Sequence, residues 1–242
     1  MIIDGKTIAN EIAESIKQKV ESLPKKPKLA IVLVGDDPAS KIYVNLKVKK
    51  AKELGIATEV VNDIDKVSPD VDGIIVQLPC ENAEKIIQKI PQEKDVDGLR
   101  NNSPFLPATV KAVVTLIDLS HAYAYDRSIV IVGQGKLVGK PLVDYLEKRG
   151  EKVIRCDEFT KDLKAKTLQA DVLVTATGVA NLIKKDMIKE GIVIIDCGSP
   201  KPEVDVEVYK IAGAYTPVPG GVGPLTVVCL LENLIEAVKV VV

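Results

Sequence analysis

The 242-residue chain is predicted to be an α/β protein with two domains, each built on a parallel sheet, and with a cleft between them. The first observation is that helical and strand-like segments alternate along almost the whole chain, which favours parallel sheets covered by helices. The second is that the runs "KLAIVLVG" and "IVIIDCG" are nearly all apolar, as in strands buried on both faces. The third is a glycine-rich turn between a strand and a helix, which predicts that the second domain is of the Rossmann type.

The first half of the chain begins with an amphipathic helix, "TIANEIAESIKQKV", whose isoleucines recur every fourth residue. The strand "KLAIVLVG" follows, then a helix that carries Lys47. We interpret "ATEVVND" and "VDGIIVQLP" as further strands and "NAEKIIQKI" as a short helix. The helical segment "PATVKAVVTLIDLS" leads to the second half.

The second half repeats the alternation. Strands are predicted in "SIVIVG", "EKVIRC", "ADVLVTATG" and "IVIIDCG", a helix in "LVGKPLVDYLEKRG" and a helical turn in "KKDMIKEG". The chain closes with a Pro/Gly-rich loop and a helix so apolar that it needs a large surface to cover it. We therefore expect a first domain of residues 1–118, with helix 224–242 packed back on it, and a dinucleotide-binding domain of residues 119–223.

Composition excludes several classes of function. A formal charge of −1 gives no electrostatic reason to expect nucleic acid or an anionic membrane as a partner. The start "MIIDGKTIANEI" lacks a secretory signal, and the apolar runs are too short to span a bilayer, so we expect a cytoplasmic protein. The cysteines are scattered, and the single histidine, His121, lies in a predicted linker, which leaves too little material for a metal site.

The predicted helix "KIYVNLKVKK" has a lysine on its apolar face. On a helical wheel its apolar stripe includes Val44, Val48 and Ala51, and most of its lysines lie opposite. Lys47 falls inside the stripe, one turn from Tyr43 and about two from Ser40. A lysine on an inward face is costly unless a polar cavity receives it, so the position suggests a functional amine.

The segment "SIVIVGQGKLVGKP" predicts a dinucleotide site. It places Gly133, Gly135 and Gly139 between a strand and a helix, where glycines allow the backbone to approach a pyrophosphate. Asp157 lies 24 positions beyond Gly133, near the offset of about 20 at which an acidic residue binds a ribose 2′-hydroxyl. A carboxylate there would repel a 2′-phosphate and favours NAD over NADP, although a solvated acidic loop is the alternative interpretation.

Three further segments would line the carboxyl edge of a parallel sheet, where ligands of α/β proteins bind. Gln77 ends the strand of "VDGIIVQLP". Asp95 and Asp97 stand two apart in the loop "PQEKDVDGL". The loop "TPVPGGVGP" at 216–224 is rigid and nearly free of side chains, which suits close contact with a flat ligand.

Together these stretches resemble the bifunctional methylenetetrahydrofolate dehydrogenase/methenyltetrahydrofolate cyclohydrolase family. The likeness runs from "IIDGKTIANEI" through "VGDDPASKIYVNLKVKKAKELGI", "GIIVQLP", "KDVDGL" and "VGQGKLVGKP" to "TPVPGGVGPLTV", and its S-x-x-Y-x-x-x-K and P-V-P-G-G-V-G-P motifs are highly specific. The resemblance implies an enzyme that oxidises 5,10-methylenetetrahydrofolate with NAD(P)+ and hydrolyses the methenyl product to 10-formyltetrahydrofolate. It also implies a homodimer without a metal.

The resemblance assigns roles to individual residues. Lys47 would be the central catalytic residue, Tyr43 would orient the folate ring, Gln77 would tune the lysine, and Asp97 would anchor the pterin. The implied substrate-binding residues are Ser40, Tyr43, Lys47, Val76, Gln77, Leu78, Asp97, Pro219, Gly220 and Gly221. The implied cofactor-binding residues are Gly133, Gln134, Gly135, Gly139, Asp157, Glu158 and Ser199.

The chain departs from the family pattern in places. Val110 and Ala112 replace a usual proline and glycine, Gln134 replaces a usual arginine, and Glu158 stands where serine is common. Family precedent favours NADP, whereas these acidic residues favour NAD. The segment "VNDIDKVSPDVDG" is short and is expected to omit a helix. Two alternatives remain open: a cyclohydrolase with weak or lost dehydrogenase activity, and a nucleotide-binding sensor without catalysis.

Overall fold

A computed structural model describes residues 1–120 and 127–240, and His121 lies outside the described residues. The chain forms two compact units. Residues 9–108 and 227–242 make up the first, here called the lysine unit because it contains Lys47. Residues 1–8 and 109–226 make up the second, here called the glycine-loop unit.

The lysine unit is built on a three-stranded parallel sheet in the order β2-β1-β3. Its strands are β1 (Lys28–Val32), β2 (Ala57–Val61) and β3 (Gly73–Val76). Its helices are α2 (Pro38–Glu53), α3 (Ala83–Lys89) and most of α1 (Gly5–Glu21). Nearly every residue of β1 and β3 is buried, on both faces of the sheet, which explains why these strands are apolar throughout, and one face packs against Ile87 and Ile90.

Local sequence sets the ends of α2. The Asp37 carboxylate accepts a hydrogen bond of 2.7 Å from the Ser40 amide, and Pro38 occupies the first turn, where its missing N–H costs nothing. Gly55, just beyond the helix, takes the left-handed conformation with φ of +77°. The segment between β2 and β3 contains only a 3₁₀ turn at Ile64–Lys66, in agreement with the expected omission of a helix.

The glycine-loop unit is built on a five-stranded parallel sheet in the order β5-β4-β6-β7-β8. Its strands are β4 (Ser128–Val132), β5 (Lys152–Cys156), β6 (Val172–Thr175), β7 (Val193–Asp196) and β8 (Ala214–Tyr215). Its helices are α4 (Ala108–Leu119), α5 (Gly139–Lys148) and α6 (Leu163–Thr167), and α7 (Val222–Val240) begins here. The chain passes from β4 to β5 on one side and then to β6 on the other, so the topological switch point lies between β4 and β6.

The predicted fold class is confirmed: two parallel sheets with helices are present. Helix α6, strand β8 and the 3₁₀ turn at Gln92–Lys94 were not predicted, and the predicted helical turn in "KKDMIKEG" is a 3₁₀ turn at Lys185–Met187. No helix in the described part of the chain is long and apolar enough to cross a membrane.

Candidate active site

The amine of Lys47 points towards the end of β3. Its Nζ donates a hydrogen bond of 2.9 Å to Oε1 of Gln77, the buried residue that follows β3. The amide nitrogen of Gln77 donates in turn to the carbonyl oxygen of Leu78 at 2.6 Å. Because that bond fixes the orientation of the amide, Oε1 is the atom presented to the lysine.

Burial and charge act in opposite directions on the pKa of Lys47. Desolvation by surrounding protein lowers the pKa of Lys47 below its usual value, and the charge of Asp97 opposes this larger effect. The pKa of Asp97 is raised, first by burial and also by the nearby Asp95, while Lys47 opposes the rise. A neutral Gln77 accepts a hydrogen bond from the amine without adding the negative charge that would hold its proton.

Asp97 is carried by a loop that α7 holds in place. The side chain of Asn233, 1% exposed, donates from Nδ2 to the carbonyl oxygens of Val96 at 3.0 Å and Leu106 at 3.1 Å. The Asp97 carbonyl accepts from the amide of Ala108 at 3.1 Å. The loop is therefore fixed at both ends, which limits where the Asp97 carboxyl can lie.

The other predicted folate residues of this unit lie on the same elements. Ser40 is buried one turn before Tyr43 on α2. Tyr43 is 41% exposed, an accessible position for a ring that would stack on a ligand. Val76 is buried at the end of β3, and Leu78 is half-buried two residues later.

The predicted phosphate loop is closely packed. Gly133 has φ of +100°, and a Cβ there would lie 2.3 Å from the carbonyl oxygen of Ala176. A Cβ on Gly139, where α5 begins, would lie 1.8 Å from the carbonyl oxygen of Gly133. A Cβ on Gly135 would meet nothing within 4 Å, so the space beside this residue is open. Such a cradle fits a pyrophosphate at a helix N-terminus.

Asp157 lies beside this loop, because the amide of Gly133 donates to the carbonyl oxygen of Cys156 at 2.8 Å. One carboxylate oxygen of Asp157 accepts from the amide of Phe159 and the hydroxyl of Thr160, both at 3.0 Å. Glu158 is exposed in the same turn.

The remaining predicted cofactor residues also belong to the glycine-loop unit. Gln134 is half-buried, and its Nε2 donates to the carbonyl oxygens of Ile131 at 3.3 Å and Gly133 at 3.2 Å. Ser199 is exposed three residues after the end of β7.

The loop "TPVPGGVGP" belongs to the glycine-loop unit, whereas Lys47 belongs to the lysine unit. The carbonyl oxygen of Gly220 accepts from the amide of Lys6 at 3.0 Å. A Cβ on Gly221 would lie 2.6 Å from Cβ of Thr216, which accounts for the glycine, and Pro219 is exposed beside it. The predicted residues are thus divided, with Ser40, Tyr43, Lys47, Val76, Gln77, Leu78 and Asp97 in the lysine unit and the others in the glycine-loop unit.

Sequence reasoning missed three buried polar residues. Asn233 supports the Asp97 loop, and Asp196 and Glu203 are each 1% exposed in the glycine-loop unit. A signal existed for two of them. Asn233 lies at helical spacing from the apolar Cys229, Leu230 and Ala237, and Asp196 ends a fully buried strand, so each had to find a hydrogen-bond partner.

Both halves of the chain match models of one protein family. Residues 3–97 match the catalytic domain of tetrahydrofolate dehydrogenase/cyclohydrolase, and residues 107–242 match its NAD(P)-binding domain. Among curated relatives, the bifunctional protein FolD of Sulfurihydrogenibium sp. is 39% identical, covering 99% of this chain and 98% of its own. The FolD protein of Fusobacterium nucleatum is 38% identical with the same coverage.

Solved structures agree. The bifunctional enzyme FolD, methylenetetrahydrofolate dehydrogenase/cyclohydrolase, of Campylobacter jejuni is 35% identical with a TM-score of 0.93, covering 100% of this chain and 99% of its own. The Trypanosoma brucei enzyme, solved with NADP and an inhibitor, is 26% identical with a TM-score of 0.92, covering 100% and 98%. With both family models and full-length relatives in agreement, the chain belongs to the tetrahydrofolate dehydrogenase/cyclohydrolase family.

Proposed function

We propose that this protein oxidises 5,10-methylenetetrahydrofolate to 5,10-methenyltetrahydrofolate with NAD(P)+ and hydrolyses the product to 10-formyltetrahydrofolate. The observation that carries the proposal is the 2.9 Å bond between the amine of Lys47 and the amide of Gln77 in a desolvated site. The glycine loop of the other unit supports the nicotinamide-dependent half, because the space beside Gly135 is open just before the start of α5.

Oxidation depends on alignment more than on proton transfer. The bridging carbon of the folate loses a hydride, which the bound nicotinamide ring accepts, and no proton moves in that step. The contribution of the protein is to hold the two reactants at reacting distance. Tyr43 is proposed to stack on the folate ring and Asp97 to bind the pterin. Gly133, Gly135 and Gly139 are proposed to hold the dinucleotide.

Hydrolysis requires a group that moves protons. The methenyl substrate is a cation, so a neutral Lys47 beside it avoids the repulsion that an ammonium would cause. The amine accepts a proton from water as the oxygen bonds to the bridging carbon. It then returns a proton to the folate nitrogen as the carbon–nitrogen bond breaks, and loss of the hydroxyl proton leaves the formyl group. An amine with a lowered pKa suits both steps.

The first prediction tests Lys47 directly. Lys47→Met keeps an unbranched side chain as far as the ε position and removes only the amine, so hydrolysis of methenyltetrahydrofolate should fall by about 10² or more, as expected for loss of a general acid–base. Loss of absorbance of the methenyl compound measures the rate. Lys49→Met, at an exposed position of the same helix, is the matched control and should retain wild-type activity. Equal rates in the two variants would contradict the role of Lys47.

We propose that the protein prefers NAD over NADP as its cofactor. Asp157 and Glu158 place negative charge at the end of β5, and Gln134 offers no positive charge to a 2′-phosphate. The second prediction is that Asp157→Ser combined with Glu158→Ser raises kcat/KM for NADP+ relative to NAD+, because the repelling charges are removed. Initial rates with both cofactors provide the measurement. An unchanged ratio would show that these residues do not sense the 2′ position.

The functional division is proposed to follow the predicted domains, with residues 1–118 and 224–242 for folate chemistry and 119–223 for the dinucleotide. A cytoplasmic homodimer is also proposed, on the strength of the family resemblance.

Dehydrogenation assays with NAD+ and with NADP+ distinguish the bifunctional enzyme from the alternative of a cyclohydrolase alone. Methenyl hydrolysis without any nicotinamide reduction would indicate a cyclohydrolase that has lost its dehydrogenase activity.

A further inference from the structure

The carboxylate of Glu203 holds the backbone that follows β6. Its two oxygens accept from the amide of Thr177, both at 2.9 Å, and one of them accepts from the Thr177 hydroxyl at 2.7 Å. The other accepts from the amide of Gly178 at 2.6 Å. Since Glu203 is only 1% exposed, water does not compete for these bonds. The Thr177 hydroxyl also accepts from the amide of Val179 at 3.0 Å, so three successive residues are tied together.

Glu203 is itself fixed by the sheet. Asp196, the last residue of β7, accepts from the amides of Glu203 at 2.9 Å and Val204 at 3.1 Å with one oxygen. Its other oxygen accepts from the amide of Gly198 at 2.8 Å. The ends of β6 and β7 are therefore linked through two buried carboxylates, and this arrangement is rigid because each acceptor receives several donors.

The segment that Glu203 holds borders the phosphate loop. The carbonyl oxygen of Ala176 lies 2.3 Å from where a Cβ on Gly133 would stand, and the amide nitrogen of Thr177 lies 3.0 Å from it. The loops after β4 and β6 flank the topological switch point, where ligands bind in open α/β sheets. A displacement of residues 176–178 would therefore change one wall of the crevice and also remove the packing that positions Gly133.

We propose that Glu203 is a positioning residue for the dinucleotide, holding residues 176–178 against Gly133 so that the crevice is formed before the cofactor arrives. The identity of that ligand rests on the proposed function. A carboxylate suits the role because it only accepts, and the segment presents two amides and a hydroxyl as donors. A glutamine would turn an NH2 group towards one of those donors and leave it unpaired.

The test is Glu203→Gln, compared with Glu190→Gln, which makes the same chemical change at an exposed position of the same unit. We expect Glu203→Gln to raise the KM and the directly titrated Kd for NAD(P)+ by about tenfold or more, as for lost bonds to a buried charge. Methenyl hydrolysis, which needs no dinucleotide, should stay within about twofold of wild type, whereas a general loss of structure would lower both activities. Glu190→Gln should match wild type throughout.

A second variant keeps the inference testable if Glu203→Gln fails to fold. Thr177→Val keeps the shape of the side chain and removes one donor to Glu203, and we expect a rise in Kd of about threefold. Unchanged Kd values in the variants that fold, or a parallel fall of both activities, would overturn the inference. A wild-type protein that binds the dinucleotide without turnover would contradict the proposed function alone. A wild type that binds neither NAD+ nor NADP+ would overturn both.

Discussion

The environment of Lys47 is a balance between burial and charge. Burial lowers the pKa of the amine, Asp97 opposes that effect, and Gln77 bonds the amine without adding charge. If the neutral amine is the base in hydrolysis, the rate rises with pH through the pKa of Lys47. The pH at which the rate rises therefore measures the pKa of Lys47, which burial, Asp97 and Gln77 together determine.

The third prediction compares two substitutions that should shift the pKa of Lys47 in opposite directions. Gln77→Glu places a negative charge at the atom that now bonds Lys47, which raises the pKa of the amine and moves the limb to higher pH, by about one unit or more. Asp97→Asn removes a charge that raises the same pKa, so the limb moves to lower pH. The measurement is the pH profile of kcat for methenyl hydrolysis.

Gln88→Glu provides the control for this pair, because it adds the same charge at an exposed position on α3. Its profile should coincide with that of the wild type. Shifts of the same sign in Gln77→Glu and Asp97→Asn would contradict the assignment of the limb to Lys47.

The inward position of Lys47 could be predicted from the sequence, because the spacing of apolar residues indicates which face of a helix is buried. The wheel placed Lys47 with Val44 and Ala51, and its amine does reach a buried partner. Glu203 could not be found in this way. It lies in an irregular segment, and its partners at 177 and 178 are 25 residues away or more in sequence, so only the folded backbone brings them together.

At the scale of elements, the turn from β4 to α5 depends on two glycines for different reasons. Gly139 is required by the fold, since a Cβ would lie 1.8 Å from the carbonyl oxygen of Gly133. Gly135 has free space around it, so packing does not account for its lack of a side chain, and we propose that close approach of a bound pyrophosphate does.

The fourth prediction separates these reasons. Gly139→Ala should lower the Tm of the unliganded protein by about 3 °C or more, because overpacking against backbone costs about 1–3 kcal/mol. Gly135→Ala should leave that Tm unchanged but reduce the rise that saturating NAD(P)+ produces, since the pyrophosphate loses its close approach. Thermal melts with and without cofactor measure both effects. Equal Tm values for the two unliganded variants would contradict the packing argument.

The long elements were predictable, and the short ones were not. Ala9, Ala13, Ile16 and Val20 are buried along α1 at helical spacing, and every residue of β4 is buried, so both patterns were visible in the sequence. Helix α6 has five residues, "LKAKT", too few for a period to appear. Strand β8 has two, and it exists because Val193 and Ile194 of β7 offer it a hydrogen-bonding edge.

At the scale of the whole molecule, methenyl hydrolysis and dinucleotide binding are proposed to use residues of different compact units. Lys47, Gln77 and Asp97 belong to the lysine unit, whereas Gly133, Gly135 and Glu203 belong to the glycine-loop unit. Each unit has its own parallel sheet and its own buried apolar cluster. Such a division implies that damage to one site need not disturb the local structure of the other.

The fifth prediction follows from this division and compares two variants in the same pair of measurements. Lys47→Met should lose methenyl hydrolysis yet keep the full rise in Tm on addition of NAD(P)+, because the dinucleotide loop is untouched. Gly135→Ala should keep methenyl hydrolysis near the wild-type rate while its cofactor-induced rise in Tm falls. If either variant lost both properties together, the two sites would have to be treated as one cooperative structure. If the pattern holds, the bond between Lys47 and Gln77 acts independently of the dinucleotide cradle.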